Sequence, residues 1–150
     1  MPEAPISARR KLTGICPPAR GAVIAGLVGA EPAPVWLVVA DSPRAAEQLA
    51  EDTALFAAGF GRERPVTTAV FPEAPQDAGD MREAFAASSD RLGVLSRLRA
   101  LRGVGRTPDT LVVVTTPAAL LQPVPAPEEF IAAELTLQRG QSRSFQGLLE

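Results

Sequence analysis

Three apolar runs organise the chain: Val35-Trp36-Leu37-Val38-Val39-Ala40, Val66 to Phe71, and Thr110-Leu111-Val112-Val113-Val114-Thr115-Thr116. The first and third are apolar almost throughout, the pattern of strands buried on both faces of a parallel sheet that helices cover. Between them the period changes. After the first run, Ser42 is a good N-cap and Pro43 a good first helical residue. Ala46, Leu49, Thr53, Phe56 and Phe60 then recur at helical spacing, against a wet face of Glu47, Gln48, Glu51 and Asp52, until Gly59 and Gly61 stop the helix. A second helix is predicted over residues 80–102, with Leu92, Leu95, Leu98 and Leu101 spaced by three. A small-residue helix over residues 19–29 precedes the first strand and ends at Gly29, Pro32 and Pro34. Pro117 opens a short helix that Pro123 and Pro125 terminate. The repeated unit of strand, tight turn and helix predicts an α/β fold, a mostly parallel sheet flanked by helices.

The remaining stretches set the expected domain limits. Residues 1–11 are polar and proline-bearing, a flexible lead-in whose Arg9-Arg10-Lys11 cluster is a solvated terminus or a binding arm. Residues 12–133 form the α/β domain. Pro127-Glu128-Glu129-Phe130-Ile131 begins another turn or two of helix, and Leu135-Thr136-Leu137 alternates weakly. Ser144 is an N-cap for a helix still running at Glu150, so residues 134–150 are expected to open a following domain.

Composition narrows the chemistry. A chain of 150 residues is long enough for one buried core. A net charge of −2 is unlike the clustered positive excess of a sequence-blind nucleic-acid binder. One lysine stands against fourteen arginines, in a sequence rich in alanine and proline, which reads as coding bias rather than function. Histidine is absent and cysteine occurs once, so no disulfide, no histidine triad and no cysteine or histidine metal site forms within the chain. No apolar run reaches the roughly 18 residues of a membrane span, and a cytoplasmic setting is expected.

Residues 12–27 lie where a nucleotide-binding domain carries its phosphate loop. Such a loop needs two glycines for close backbone approach, a lysine for the phosphates and a hydroxyl for Mg²⁺. Here Thr13 and Gly14 remain, Arg20 stands near the lysine position, and the second glycine and the hydroxyl are missing. Pro17 and Pro18 remove two donors from a loop that should be all donors. The loop is read as a degenerate remnant, with no nucleotide cofactor, no metal and no catalytic residue.

Other candidates are weaker. Cys16 and Arg20 have a loop-borne thiol and guanidinium in common with cysteine phosphatases, but that chemistry needs five intervening residues and here there are three, two of them prolines. Cys16 is expected to be an incidental thiol, buried or half-buried. Asp41 is the one carboxylate at the end of a buried strand, and helix capping suits it better than Mg²⁺. Thr115 and Thr116 are expected to cap the next helix. Arg91, Arg97, Arg99 and Arg102 are interleaved with the leucines. They make either a basic face for a DNA backbone or acidic partner, or a solvated face whose stems cover apolar surface.

Residues 35–56, the stretch Val70-Phe71-Pro72-Glu73, Ser89-Asp90-Arg91-Leu92 ahead of the leucine helix, residues 110–122 and Leu135-Thr136-Leu137-Gln138-Arg139-Gly140 together resemble the N-terminal region of the bacterial transcription-repair coupling factors, the Mfd family. That region is itself similar to UvrB of nucleotide excision repair. UvrB has an intact phosphate loop and a tyrosine-rich hairpin that grips DNA. This chain has a broken loop, no tyrosine, and only residues 71–85 where the hairpin would be inserted, so it resembles the coupling factor. The resemblance implies a helicase-like, UvrB-homology fold with a degenerate nucleotide site. It implies a non-hydrolytic module of an ATP-driven translocase that removes stalled RNA polymerase and recruits UvrA, supporting that recruitment and the autoinhibition of the parent. In the family, the motor and the polymerase-binding domain lie far downstream. UvrA binds the domain that begins about where this chain ends. The competing expectation is a helicase-like lobe whose residues 40–46 and 115–120, with the arginine helix, meet a DNA backbone.

Overall fold

The computed structural model describes residues 11–31, 33–60, 65–74, 81–101, 109–126 and 140. The expected lead-in before Lys11, the stop at Gly61, Arg102, and the elements expected after Pro127 lie outside them. A one-turn 3₁₀ segment at Pro17–Ala19 leads into α1 (Arg20–Ala30), followed by β1 (Val35–Val39), α2 (Pro43–Gly59), β2 (Val66–Phe71), α3 (Met81–Ala100), β3 (Thr110–Thr115) and α4 (Pro117–Leu121). The three strands form a parallel sheet in the order β1-β3-β2. The fold is α/β, a small parallel sheet flanked by helices.

The connections fix where the helices sit. The chain crosses from one edge of the sheet to the other through α2, then returns to the middle through α3. Right-handed crossovers in opposite directions put their helices on opposite faces. Accordingly Val28 of α1 and Ala46 and Ala50 of α2 pack on Val112 and Val114, with Trp36, Val38, Val66 and Val70 beside them. On the other face Val94 of α3 and Ala119 of α4 pack on Leu111, Val113 and Phe71, with Leu95, Leu98 and Leu101 at the margin. Only β3, among the described strands, is buried along its whole length.

Three expectations shift for geometric reasons. Strand β1 is not buried on both faces: Val35, Leu37 and Val39 are 36%, 57% and 49% exposed. They share a face with Leu111, Val113 and Thr115, but β1 is an edge strand and α3 lies over β2 and β3. In α3 a spacing of three turns steadily around the helix, so Leu92 cannot share a face with Leu101. The buried positions are Arg91 and Val94, with Leu95, Leu98 and Leu101 half-buried, and Leu92 is exposed. In α2 the buried stripe is Ala46, Ala50, Thr53 and Ala57. Leu49 and Phe56 flank it half-buried, and Phe60 is exposed.

Small residues let α1 and α2 approach closely. A Cβ on Gly21 would collide with the Asp52 Cβ, and would lie 2.9 Å from the Asp52 carbonyl carbon and 3.0 Å from the Thr53 nitrogen. Backbone cannot give way there as a side-chain tip would. Gly26, in the same helix, has nothing within 4 Å of the same position. Gly21→Ala is therefore expected to destabilise the domain by about 1–3 kcal/mol despite alanine's better helix propensity. Gly26→Ala should stabilise it by up to about 1 kcal/mol. Urea unfolding of the two variants beside the wild type checks the opposite signs.

Candidate functional site

In a parallel α/β sheet, ligands bind beyond the carboxyl ends of the strands, where neighbouring strands send their helices to opposite faces. Here that point lies between β1, which leads into α2 on one face, and β3, which leads into α4 on the other. The Ala40 N–H donates to the Thr115 carbonyl at 2.8 Å and ties the two strand ends together. Beside them a cleft of about 460 Å³ opens between residues 12–17, α1, the end of β1 and the start of α2. Its walls include Leu12, Ile15, Val23, Ile24, Val39 and Leu49, and its only charged lining residues among the described residues are Arg20 and Asp41.

Helix N-termini hold phosphate through free backbone N–H groups, and at this edge several of those groups are missing or engaged. Pro17 and Pro18 have none. The Ala19 N–H donates to the Cys16 carbonyl at 3.0 Å and the Arg20 N–H to the Pro17 carbonyl. From residue 17 to residue 20, no N–H faces a ligand. At α2, Pro43 has no N–H, Ala45 donates to the Ser42 hydroxyl at 3.3 Å, and Ala46 donates to the Ser42 carbonyl at 2.9 Å. At α4 the arrangement repeats: Pro117 lacks the donor, Ala119 donates to the Thr116 hydroxyl at 3.2 Å, and Leu120 to the Thr116 carbonyl at 3.2 Å. The expected capping by Ser42 and Thr116 is what the structure has.

The hydroxyls that a Mg²⁺ or phosphate site would recruit are engaged as well. Thr115 does not cap: its hydroxyl donates to the Phe71 carbonyl at 2.9 Å, pinning β2 to β3. Thr116 Oγ1 donates to Glu73 Oε1 at 2.8 Å, and Ser42 Oγ to Asp41 Oδ1 at 3.4 Å. Gly14 has φ 75°, so it turns the chain toward α1 in a conformation that favours glycine. Thr13 and Gly14 are exposed, and Arg20 alone of the loop candidates lines the cleft. Cys16 is exposed, contrary to expectation, because the proline-opened turn carries it outside the core. Among the described residues, no three acidic or cysteine side chains come together as a metal site, and no helix is long and apolar enough to cross a membrane.

The arginine helix does not present a single basic face. Arg97 is exposed at the opposite, amino end of the sheet, beside Thr67, Asp109 and Thr110. Arg99 is also exposed. Arg91 is 7% exposed. Its Nη1 donates to the Pro72 carbonyl at 2.8 Å and to Gln122 Oε1 at 3.1 Å, and its Nη2 to the Pro123 carbonyl at 3.3 Å. The guanidinium carbon lies 4.2 Å from the centre of the Phe71 ring, a cation–π contact. Gln122 completes the cluster, accepting from the Ala74 N–H and donating to the Ala74 carbonyl at 3.1 Å. Arg91 is thus a strut inside the fold. Sequence reasoning missed Gln122 and Glu73, which no local pattern marks, because their partners lie more than thirty residues away.

Burial pushes the Arg91 guanidinium below its ordinary value. A cation depressed in the folded state opposes folding while it is charged. That penalty lifts only as pH rises past the folded value, in the strongly alkaline range, so the cluster stays charged near neutrality.

No protein-family model, curated protein or solved structure matches this chain.

Lysine offers one point charge where Arg91 offers a planar fork. Arg91→Lys should therefore cost about 1–3 kcal/mol of stability by leaving carbonyls unpaired. Arg97→Lys, at the exposed end of the same helix, should stay within about 0.5 kcal/mol. Chemical denaturation of the pair checks the contrast.

Proposed function

We propose that this chain is a non-catalytic module of a transcription-repair coupling factor, a UvrB-like lobe that supports UvrA recruitment and helps keep a parent DNA translocase autoinhibited. The reading rests on the resemblance carried by residues 35–56, 70–73, 89–92 and 110–122, with the parallel α/β sheet as the compatible frame. Its fold is then the helicase-like, nucleotide-binding type with the nucleotide site dismantled.

The observation that carries the non-catalytic part is the donor accounting at the carboxyl edge. Three of the helical starts there open on proline, at Pro17, Pro43 and Pro117. The N–H groups of Ala19, Arg20, Ala45, Ala46, Ala119 and Leu120 are taken by Cys16, Pro17, Ser42 and Thr116. The adjoining cleft is lined mainly by apolar side chains, which suits packing against protein better than holding a triphosphate. In this reading UvrA meets mainly the adjoining domain, and RNA polymerase and DNA are met through domains downstream. The module works in the cytoplasm, away from any membrane.

Removal of residues 12–126 from the parent protein tests the proposal. The expected outcome is a severalfold rise in the parent's DNA-stimulated ATPase together with weaker recovery of UvrA. Unchanged ATPase and unchanged UvrA binding would contradict it. So would salt-sensitive DNA binding by the isolated chain at about 50 mM salt, the signature of a lobe that grips a phosphate backbone.

A further inference from the structure

The segment by which the chain leaves the sheet has little to hold it in place. Helix α4 has five residues, too short to be stable by itself. Ala119 is its one buried side chain, while Leu121 is 87% exposed and Val124 about half exposed. Hydrophobic burial secures this segment at one point only. Beyond that point, the side-chain bonds that reach Gln122 and Pro123 run to a single place. Gln122 clasps both backbone groups of Ala74, and Arg91 donates to Gln122 Oε1, to the Pro123 carbonyl and, with the same nitrogen that reaches Gln122, to the Pro72 carbonyl.

We propose that the Arg91–Gln122 cluster is a latch that couples the loop after β2, residues 72–74, to the departing segment, residues 122–126, so that the two open together and ahead of the core. The geometry gives the latch two jaws and one pin. Pro72 and Ala74 form one jaw, Gln122 and Pro123 the other, and the guanidinium on α3 bonds to both. Arg91's acceptors on Pro72, Gln122 and Pro123 are all neutral oxygens. Each of these oxygens can be rehydrated once the segment lifts. Opening therefore exposes polar groups and leaves the β3 ladder intact, which makes it a local event rather than global unfolding. Displacement of the chain beyond Ala126 would pull on residues 72–74 through Gln122. The latch does not depend on the functional proposal above.

Native-state amide exchange on the whole chain tests this. In the wild type, the Ala74 and Gln122 amides should share one exchange rate and one urea dependence, both distinct from the slower Val112, Val113 and Val114 amides. In Arg91→Lys, the Ala74 and Gln122 amides should speed up together by at least about tenfold and keep a urea dependence shallower than that of the β3 amides, which follow global stability. Unequal rates or urea dependences for Ala74 and Gln122 in the wild type would overturn the latch, whatever the variant does. So would Ala74 and Gln122 amides whose urea dependence matches that of the β3 amides, because the cluster would then open only with the core.

Discussion

Strand β3 bears the whole sheet. Neither β1 nor β2 pairs with the other; among the described strands each hydrogen-bonds to β3 alone. Val112 and Val114 meet α1 and α2 on one face, and Leu111 and Val113 meet α3 and α4 on the other. A strand in that position must be apolar on both sides and long enough to serve two partners, and the six residues Thr110–Thr115 meet both demands. Its two threonine ends extend the role: Thr110 donates its N–H to the Pro65 carbonyl, and Thr115 donates its hydroxyl to the Phe71 carbonyl. The order of strands about β3 also creates the one reversal of helix direction, and so the place where a ligand would be expected.

The chemistry of that place has been turned inward. Prolines at positions 17, 43 and 117 start their helical turns with φ already set and no donor to offer. Ser42 and Thr116 then satisfy the next donors from within. These are ordinary stabilising devices, each worth about 1 kcal/mol, and stability alone would favour them. A nucleotide site would need the same N–H groups unsatisfied in the absence of ligand. A donor cannot serve both purposes at once, and in this domain the caps hold those of Ala45, Ala46, Ala119 and Leu120.

Much of the fold could be read directly from the chain. All three strands, and the starts of α2 and α4 at Ser42-Pro43 and Thr116-Pro117, follow from apolar runs and capping chemistry that act over a few residues. What failed depended on position within the sheet. The apolar residues of β1 look the same in sequence whether the strand is central or at an edge, and only the order β1-β3-β2 leaves Leu37 uncovered. The arginines were legible as charge but not as role, because spacing along α3 cannot show that Arg91 points at carbonyls contributed by Pro72 and Pro123. The loop at Thr13-Gly14 was legible both in what it lacks and in its turn. The apolar character of the cleft beside it was not, since Leu12, Ile24, Val39 and Leu49 come from four separate segments.

The central claim is that the carboxyl edge of this sheet is not built to hold the phosphates of a nucleotide. Isothermal titration of the chain with Mg-ATP addresses it directly. The account predicts no saturable heat up to about 1 mM nucleotide. A dissociation constant below about 100 μM, roughly −5.5 kcal/mol, would show donors at that edge that Pro17, Pro43, Pro117 and their caps do not close, and would contradict it.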